Sequence, residues 1–287
     1  MHSDTIAIFV ATHVHFDPPN NPIYIPLHVG KNGKQDLGYI GDDTGDNISD
    51  LNPYFAEITG LYWIWKNIRG IDYAGLCHYR RYFINKERRE LSKTEYLDIL
   101  KEYDAIVPKH AECEINYRDH YGRAHNIHDL DAIGHAICKL FPEYMPAYEK
   151  AMSERVFFGG NLFVTSLDHL KEYAEWLFTI LSEAGEEIDI SSYDGYQIRV
   201  YGFLSEQMFY VFSLAKGLKL CEVTVGISDE KAETKELIIQ LKDMIEKIQI
   251  EEARRLFDRR ISERPDLMLP GSDIQNELNE IYHKLIQ

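Results

Sequence analysis

The nine residues Gly75-Leu76-Cys77-His78-Tyr79-Arg80-Arg81-Tyr82-Phe83 hold the densest chemistry in the chain. Tyr73-Ala74-Gly75-Leu76-Cys77, with Ile71 just before it, reads as a short buried strand that breaks at once into His78-Tyr79-Arg80-Arg81. In open α/β sheets ligands bind beyond the carboxyl ends of strands, so this tetrapeptide is placed for recognition. A guanidinium fork matches phosphate oxygens, and on a chain of formal charge −16 a local cationic group concentrates an anion. A diphosphate is the ligand two arginines fit. Ion pairing of Arg80 and Arg81 with some of the 47 acidic residues is the alternative. Thr12 and His13, where the first apolar strand ends, join the same group.

Further polar clusters lie elsewhere. Gly45-Asp46-Asn47-Ile48-Ser49 precedes a helix start at Asn52-Pro53, and short polar groups beside helix amides favour an anion or sugar hydroxyls. Plain turn and capping chemistry fits the same residues. In Tyr193-Asp194-Gly195-Tyr196-Gln197-Ile198-Arg199 and on to Glu206, a carboxylate near a helix start has Tyr196 and Arg199 close in sequence. Glu206 is of the type that takes a proton from an acceptor hydroxyl; a buried ion pair with Arg80, Arg81 or Arg199 is the competing role. Gly159-Gly160-Asn161 lets a ligand approach the backbone closely. His110, His120, His125, His128 and His135 invite a metal, but none forms an HxxxH pair on a helix with a third ligand, so hydrogen bonding to a sugar suits His125 better.

The elements that must position these groups follow from periodicity. Thr5 to Thr12 and Ile23 to Val29 read as buried strands. A helix is expected from Asn52, capping its amides, to about Asn67, with Tyr54, Ile58, Leu61, Tyr62 and Trp65 on its core face. Glu57 sits among those aromatics and needs a partner if buried. Leu91 to Tyr103 is helical in pattern, Ala105 to Pro108 a strand, and Phe157 to Val164 another. Cys113 to His135 has weak periodicity and reads as an excursion over the sheet edge. Helices are expected over Leu167 to Leu181 and Gly202 to Lys216, the latter stopped by Gly217. A last strand runs from Val223 to Ile227. The pattern divides the chain into an α/β domain, 1–227, and a helical C-terminal extension, 228–287, broken by Pro265 and Pro270.

Composition bounds the answer. A hydrophobic content of 45% with 12% aromatics supports a dense core. The acidic balance opposes nucleic-acid binding, which needs a basic field. Cys77, Cys113, Cys138 and Cys221 form no CxxC pair, which suits a reducing cytosol. Six apolar residues from Ile6 to Ala11, with no basic residue ahead of them, are too few for a signal peptide or spanning helix, so a cytoplasmic protein is expected.

Asp46-Asn47-Ile48-Ser49, the aromatic stretch from Glu57 to Asn67, Gly75 to Phe83, Gly160-Asn161-Leu162-Phe163, Trp176-Leu177-Phe178 and Arg199 to Glu206 together resemble a family of capsular and exopolysaccharide biosynthesis glycosyltransferases. The resemblance spans Ile6 to Leu214 and rests on the order of the motifs. It implies a GT-A-like nucleotide-diphospho-sugar transferase fold with a central twisted mixed sheet and a helical C-terminal tail. The implied activity is transfer of a sugar from a nucleotide diphosphate donor, such as UDP-galactofuranose with inversion, to a capsular, exopolysaccharide or lipopolysaccharide acceptor. A lipid-linked acceptor would bring the protein to the inner face of the plasma membrane. His78, Tyr79, Arg80, Arg81, Asp46, Asn47, Thr12 and His13 are assigned to the donor. His125, Asn161, Gly160, Tyr196 and Arg199 are assigned to the acceptor or sugar, and Glu206 is the base. Ordinary GT-A enzymes end their central strand in a metal-holding Asp-x-Asp; here His78-Tyr79-Arg80-Arg81 stands in that place. Arginines are therefore expected to replace Mg or Mn, with Asp42, Asp43 and Asp46 as the fallback metal site. A non-catalytic nucleotide-sugar or carbohydrate-binding protein on the same fold is the alternative.

Overall fold

A computed structural model describes residues 4–193, 195–227, 232–263 and 273–285. Asp194, Pro265 and Pro270, named in the sequence reading, lie outside the described residues.

Strand β1, Ile6–Thr12, is buried at all seven positions and stands at the centre of the sheet. Strand β2 (Tyr24–His28) pairs parallel to it on one side and β3 (Ile40–Gly41) continues that direction, while β4 (Tyr73–His78) pairs parallel on the other side. Residues alternate between two cores, as period two requires. Ala7, Phe9 and Ala11 face the helical core with Leu61 and Leu76; Ile6, Ile8 and Val10 face a second core with Tyr24, Phe83 and Tyr96. Each fully buried large apolar side chain of this kind contributes about 1.5–3 kcal/mol.

After β4 comes β5 (Arg81–Phe83), antiparallel to it through His78 and Arg81. Strand β6 (Ala105–Pro108) lies further out. A separate small pair is formed by β7 (Ala111–Glu112) and β8 (Val156–Phe157). Strand β9 (Phe163–Ser166) runs antiparallel between β4 and β6, so its beginning meets the carboxyl end of β4. That reversal places the Gly160-Asn161 corner beside His78. Gly75 makes the pairing close: a Cβ there would stand 2.7 Å from the Phe163 carbonyl oxygen. The predicted continuous strand over Phe157 to Val164 is therefore two strands divided at the glycines. Strand β10 (Leu220–Val223) lies parallel to β6, and β11 (Val225–Ile227) pairs with β5, Ile227 opposite Arg81.

The aromatic helix also differs from expectation. It comprises α1 (Asn52–Phe55) and α2 (Ile58–Asn67), separated at Ala56, whose φ of 49° and ψ of −136° no helix contains. Asn52 caps no amide. Its Nδ2 instead donates to the Ala56 carbonyl at 2.7 Å and to Thr59 Oγ1 at 3.1 Å, holding the break. Helix α3 (Lys93–Leu100) is shorter than predicted because the capping box of Ser92 and Glu95 fixes its start.

The stretch expected as an irregular excursion contains α4 (Tyr117–Ala124) and α5 (Ile127–Leu140), capped by Asn116 and Asn126. Helices α6 (Met145–Ser153) and α7 (Leu167–Ala184) complete this layer. The helix expected over Gly202 to Lys216 is divided into α8 (Val200–Ser205) and α9 (Met208–Lys216), with Glu206 and Gln207 at the joint and Gly217 left-handed after it. Beyond β11, α10 (Ala232–Glu246), α11 (Ile250–Glu263) and α12 (Asp273–Leu285) pack on one another around their own core of Leu237, Leu241, Phe257, Leu278 and Ile281.

Candidate active site

The corner Gly160-Asn161 takes positive φ at both residues, 90° and 50°. Glycine tolerates this; asparagine does so only where surroundings fix it. Here Ser205 Oγ donates to Asn161 Oδ1 at 3.0 Å, which turns the amide so that Nδ2 donates to Glu57 Oε1 at 2.7 Å and to the Gly202 carbonyl at 3.2 Å. The Gly160 amide donates to Glu206 Oε1 at 3.1 Å. One dipeptide thus clamps two carboxylates, one from the start of α2 and one from the end of α8. Gln207, fully buried, anchors the approach by accepting from the Phe158 amide at 3.0 Å and donating to the Val156 carbonyl at 2.9 Å. Glu57, which needs a partner if buried and which no motif assigned to the site, finds that partner in Asn161.

His78, at the end of β4, lies beside this clamp with Nε2 3.8 Å from Glu57 Oε1. Burial holds its imidazole below the ordinary pKa, with Arg81 and His13 adding to that and Glu57 and a backbone hydrogen bond with Gly160 opposing it. Arg81 reaches the same corner, since a Cβ on Gly160 would stand 3.0 Å from Arg81 Nη1. Arg80 lies over the Tyr79 ring at 4.5 Å and donates to its hydroxyl. His13 packs edge-on to that ring at 5.7 Å. Among the described residues Arg80 makes no ion pair. The carboxyl ends of β1 and β4 therefore gather His13, His78, Tyr79, Arg80 and Arg81 with Glu57, Gly160, Asn161 and Glu206.

A third group adjoins them. His125 stacks on Phe203 at 4.3 Å and on Tyr196 at 6.1 Å, its Nδ1 is 3.0 Å from Gln197 Oε1, and Arg199 lies over the Tyr196 ring at 4.7 Å. His125, Tyr196 and Arg199 thus come together as one aromatic platform. Tyr121 packs 4.8 Å from the His125 ring and, like Tyr117, is held above its ordinary pKa by burial first, with the Glu206 carboxylate adding to the rise.

Three expected donor residues stand elsewhere or are engaged otherwise. Asp46 and Asn47 belong to the opposite end of α2: Asn67 accepts from the Asp46 amide at 3.2 Å and donates to its carbonyl at 2.8 Å, and Tyr62 donates to Asp46 Oδ1 at 3.1 Å. Glu57 and Asn67 are thereby separated by the length of a ten-residue helix, about 15 Å. Asn47 makes an Asx turn with the Ser49 amide. The Thr12 hydroxyl serves its own turn, bonding the Val14 carbonyl at 2.7 Å. Two of the three carboxylates named as the fallback metal site are engaged within the fold. Asp42 is buried and accepts from the Gly30 and Lys31 amides, Ser49 Oγ and Thr59 Oγ1, so it braces the loop, and Asp46 is tied away from it. Among the described residues no three His, Cys, Asp or Glu side chains form a metal set.

Burial depresses the pKa of His28, His78, His120 and His125 below the ordinary 6.5. In the window below 6.5 the unfolded chain binds more protons than the fold, so stability is complete above that pH and declines as pH drops towards the folded values. The thermal midpoint should fall by a few degrees between about pH 7.5 and 5.5, and His125→Gln should flatten the profile. A midpoint constant over that range contradicts the lowered pKa values.

A mixed sheet in which antiparallel β9 enters between β4 and β6, with polar loops gathered at the carboxyl ends of β1 and β4, is a GT-A-like glycosyltransferase fold. Residues 7–217 match the family described as a domain of unknown function, DUF4422, and the chain belongs to that family. Among solved structures it is similar to the WbbM bifunctional glycosyltransferase in its apo form, with a TM-score of 0.74 and 30% identity over 79% of this chain. The chain spans 46% of that protein's length. No curated protein matches it. Among the described residues no helix is long and apolar enough to cross a membrane.

Proposed function

We propose that this chain transfers a sugar from a nucleotide diphosphate donor, with UDP-galactofuranose the leading candidate, to a capsular, exopolysaccharide or lipopolysaccharide acceptor, inverting the anomeric centre. The observation that carries this reading is the cationic pair Arg80 and Arg81 just beyond β4, with Arg81 Nη1 reaching the corner where Gly160 and Asn161 hold two carboxylates. The likeness to a bifunctional glycosyltransferase supports it. In a single displacement the acceptor oxygen bonds to the anomeric carbon as the bond to the diphosphate breaks. Glu206 takes the acceptor proton, and the guanidinium groups neutralise the departing diphosphate. The platform of His125, Tyr196 and Arg199 orients the acceptor. A lipid-linked acceptor would bring the reaction to the inner membrane face.

A donor screen tests this. UDP and UDP-sugars at about a hundredfold above Kd should stabilise the fold by about 2.7 kcal/mol, and UDP-galactofuranose with a bacterial surface-polysaccharide acceptor should release UDP. If no nucleotide or nucleotide sugar raises the thermal midpoint at millimolar concentration, the reading is wrong.

A further inference from the structure

We infer that Glu57 and His78 form a pair that reads two neighbouring hydroxyls of the donor's sugar ring, one on the Glu57 carboxylate and one on His78 Nε2. The inference rests on the nucleotide-sugar reading above and adds what distinguishes the sugar from its nucleotide.

Glu57 differs from a carboxylate that serves structure alone. Asp42, the structural one, uses both oxygens and accepts from four donors. The Glu57 contacts among the described residues fall on Oε1: Asn161 Nδ2 at 2.7 Å and His78 Nε2 at 3.8 Å. The second distance is too long for a hydrogen bond. His78 Nε2 is sealed from solvent and has no hydrogen-bond partner. A buried polar atom left unpaired is costly and calls for an explanation. An imidazole nitrogen can donate or accept and a hydroxyl can answer either, so Nε2 is an atom that a sugar hydroxyl can satisfy. The second Glu57 oxygen and the unpaired ring nitrogen together suit two neighbouring hydroxyls.

The backbone supports the same conclusion. Ala56, just before Glu57, and Asn161, its hydrogen-bond partner, are both non-glycine residues with positive φ, 49° and 50°. Such strain persists where the surroundings impose it, and it clusters at ligand sites. Gly202 lets the strained Ala56 approach, since a Cβ at Gly202 would stand 3.0 Å from Ala56 Cβ. Both strained residues therefore aim at one hydrogen bond, whose product is a carboxylate fixed on one oxygen at the carboxyl end of β4. Arg80 and Arg81 follow His78 after Tyr79, and Arg81 Nη1 reaches the Gly160 corner, so a sugar held through its diphosphate on those arginines would lie beside the pair.

Glu57→Gln keeps the side chain's size and the bond from Asn161 but replaces the second acceptor with a donor. Calorimetric titration of the wild type, Glu57→Gln and His78→Phe with UDP, UDP-galactofuranose, UDP-galactose and UDP-glucose tests the pair. The wild type should bind one of the UDP-sugars more tightly than UDP. Both variants should bind UDP within about twofold of wild type and lose about tenfold or more in affinity for that sugar nucleotide. Retention of the wild-type sugar preference in either variant, equal loss for UDP and UDP-sugar, or a wild type that prefers no sugar over UDP would each overturn the assignment. A wild type that binds neither UDP nor any UDP-sugar overturns the donor reading itself, and so is separable from these. Two variants on different elements, one isosteric, guard against a folding defect in either.

Discussion

Glu206→Gln should lower the transfer rate by about 10²–10⁴-fold while donor affinity and thermal midpoint stay close to wild type. The carboxamide preserves the acceptor that the Gly160 amide uses at 3.1 Å, so that bond of the clamp survives while the basicity is lost. The pH profile separates the roles: removal of a general base abolishes the rising acidic limb of kcat/KM, whereas removal of a brace lowers the whole profile and the melting temperature together. Loss of folding or of donor binding in parallel with rate would assign Glu206 to structure.

Substitution of Arg80 should have an effect of similar size. Because Arg80 rests on the Tyr79 ring and makes no ion pair among the described residues, Arg80→Gln breaks no salt bridge in the resting protein. A fall of about 10²–10³-fold in kcat with unchanged stability is expected, the scale of losing one preorganised charge-stabilising donor. Arg80→Lys retains the charge but not the planar fork and should recover only part of the rate. Chelation should leave the wild type unaffected. Transfer that vanishes with EDTA and returns with Mn²⁺ would assign the diphosphate to a metal instead.

The sheet was largely legible in the residues because apolar runs bounded by glycine, proline and polar loops are local signals. The strand ending in His78-Tyr79-Arg80-Arg81 is where its composition placed it. The breaks were not legible, because each depends on a distant partner. The turn at Ala56 is held by Asn52 and by contact with Gly202, and the corner at Asn161 by Ser205 and Glu57. Helices α4 and α5 escaped for a different reason. The buried face of α4 is made of Tyr117 and Tyr121, which a hydropathy pattern counts weakly. Asn116 before Asp119 and Asn126 before Asp129 were the capping signals available for them. Asp46 and Asn47 stand apart from the arginines because proximity in sequence to a helix start says nothing of which end of the next helix their loop will reach; Asn67 decides that.

The pairing of β11 with β5 bears on how much chain a working fragment must contain. The family match stops at residue 217, before β10 and β11. A protein trimmed there would expose the free edge of β6 and strip the neighbour from the strand that opens with Arg81, since Ile227 lies opposite that arginine. A fragment that keeps this edge of the sheet intact must therefore include Ile227, ten residues beyond the homology boundary.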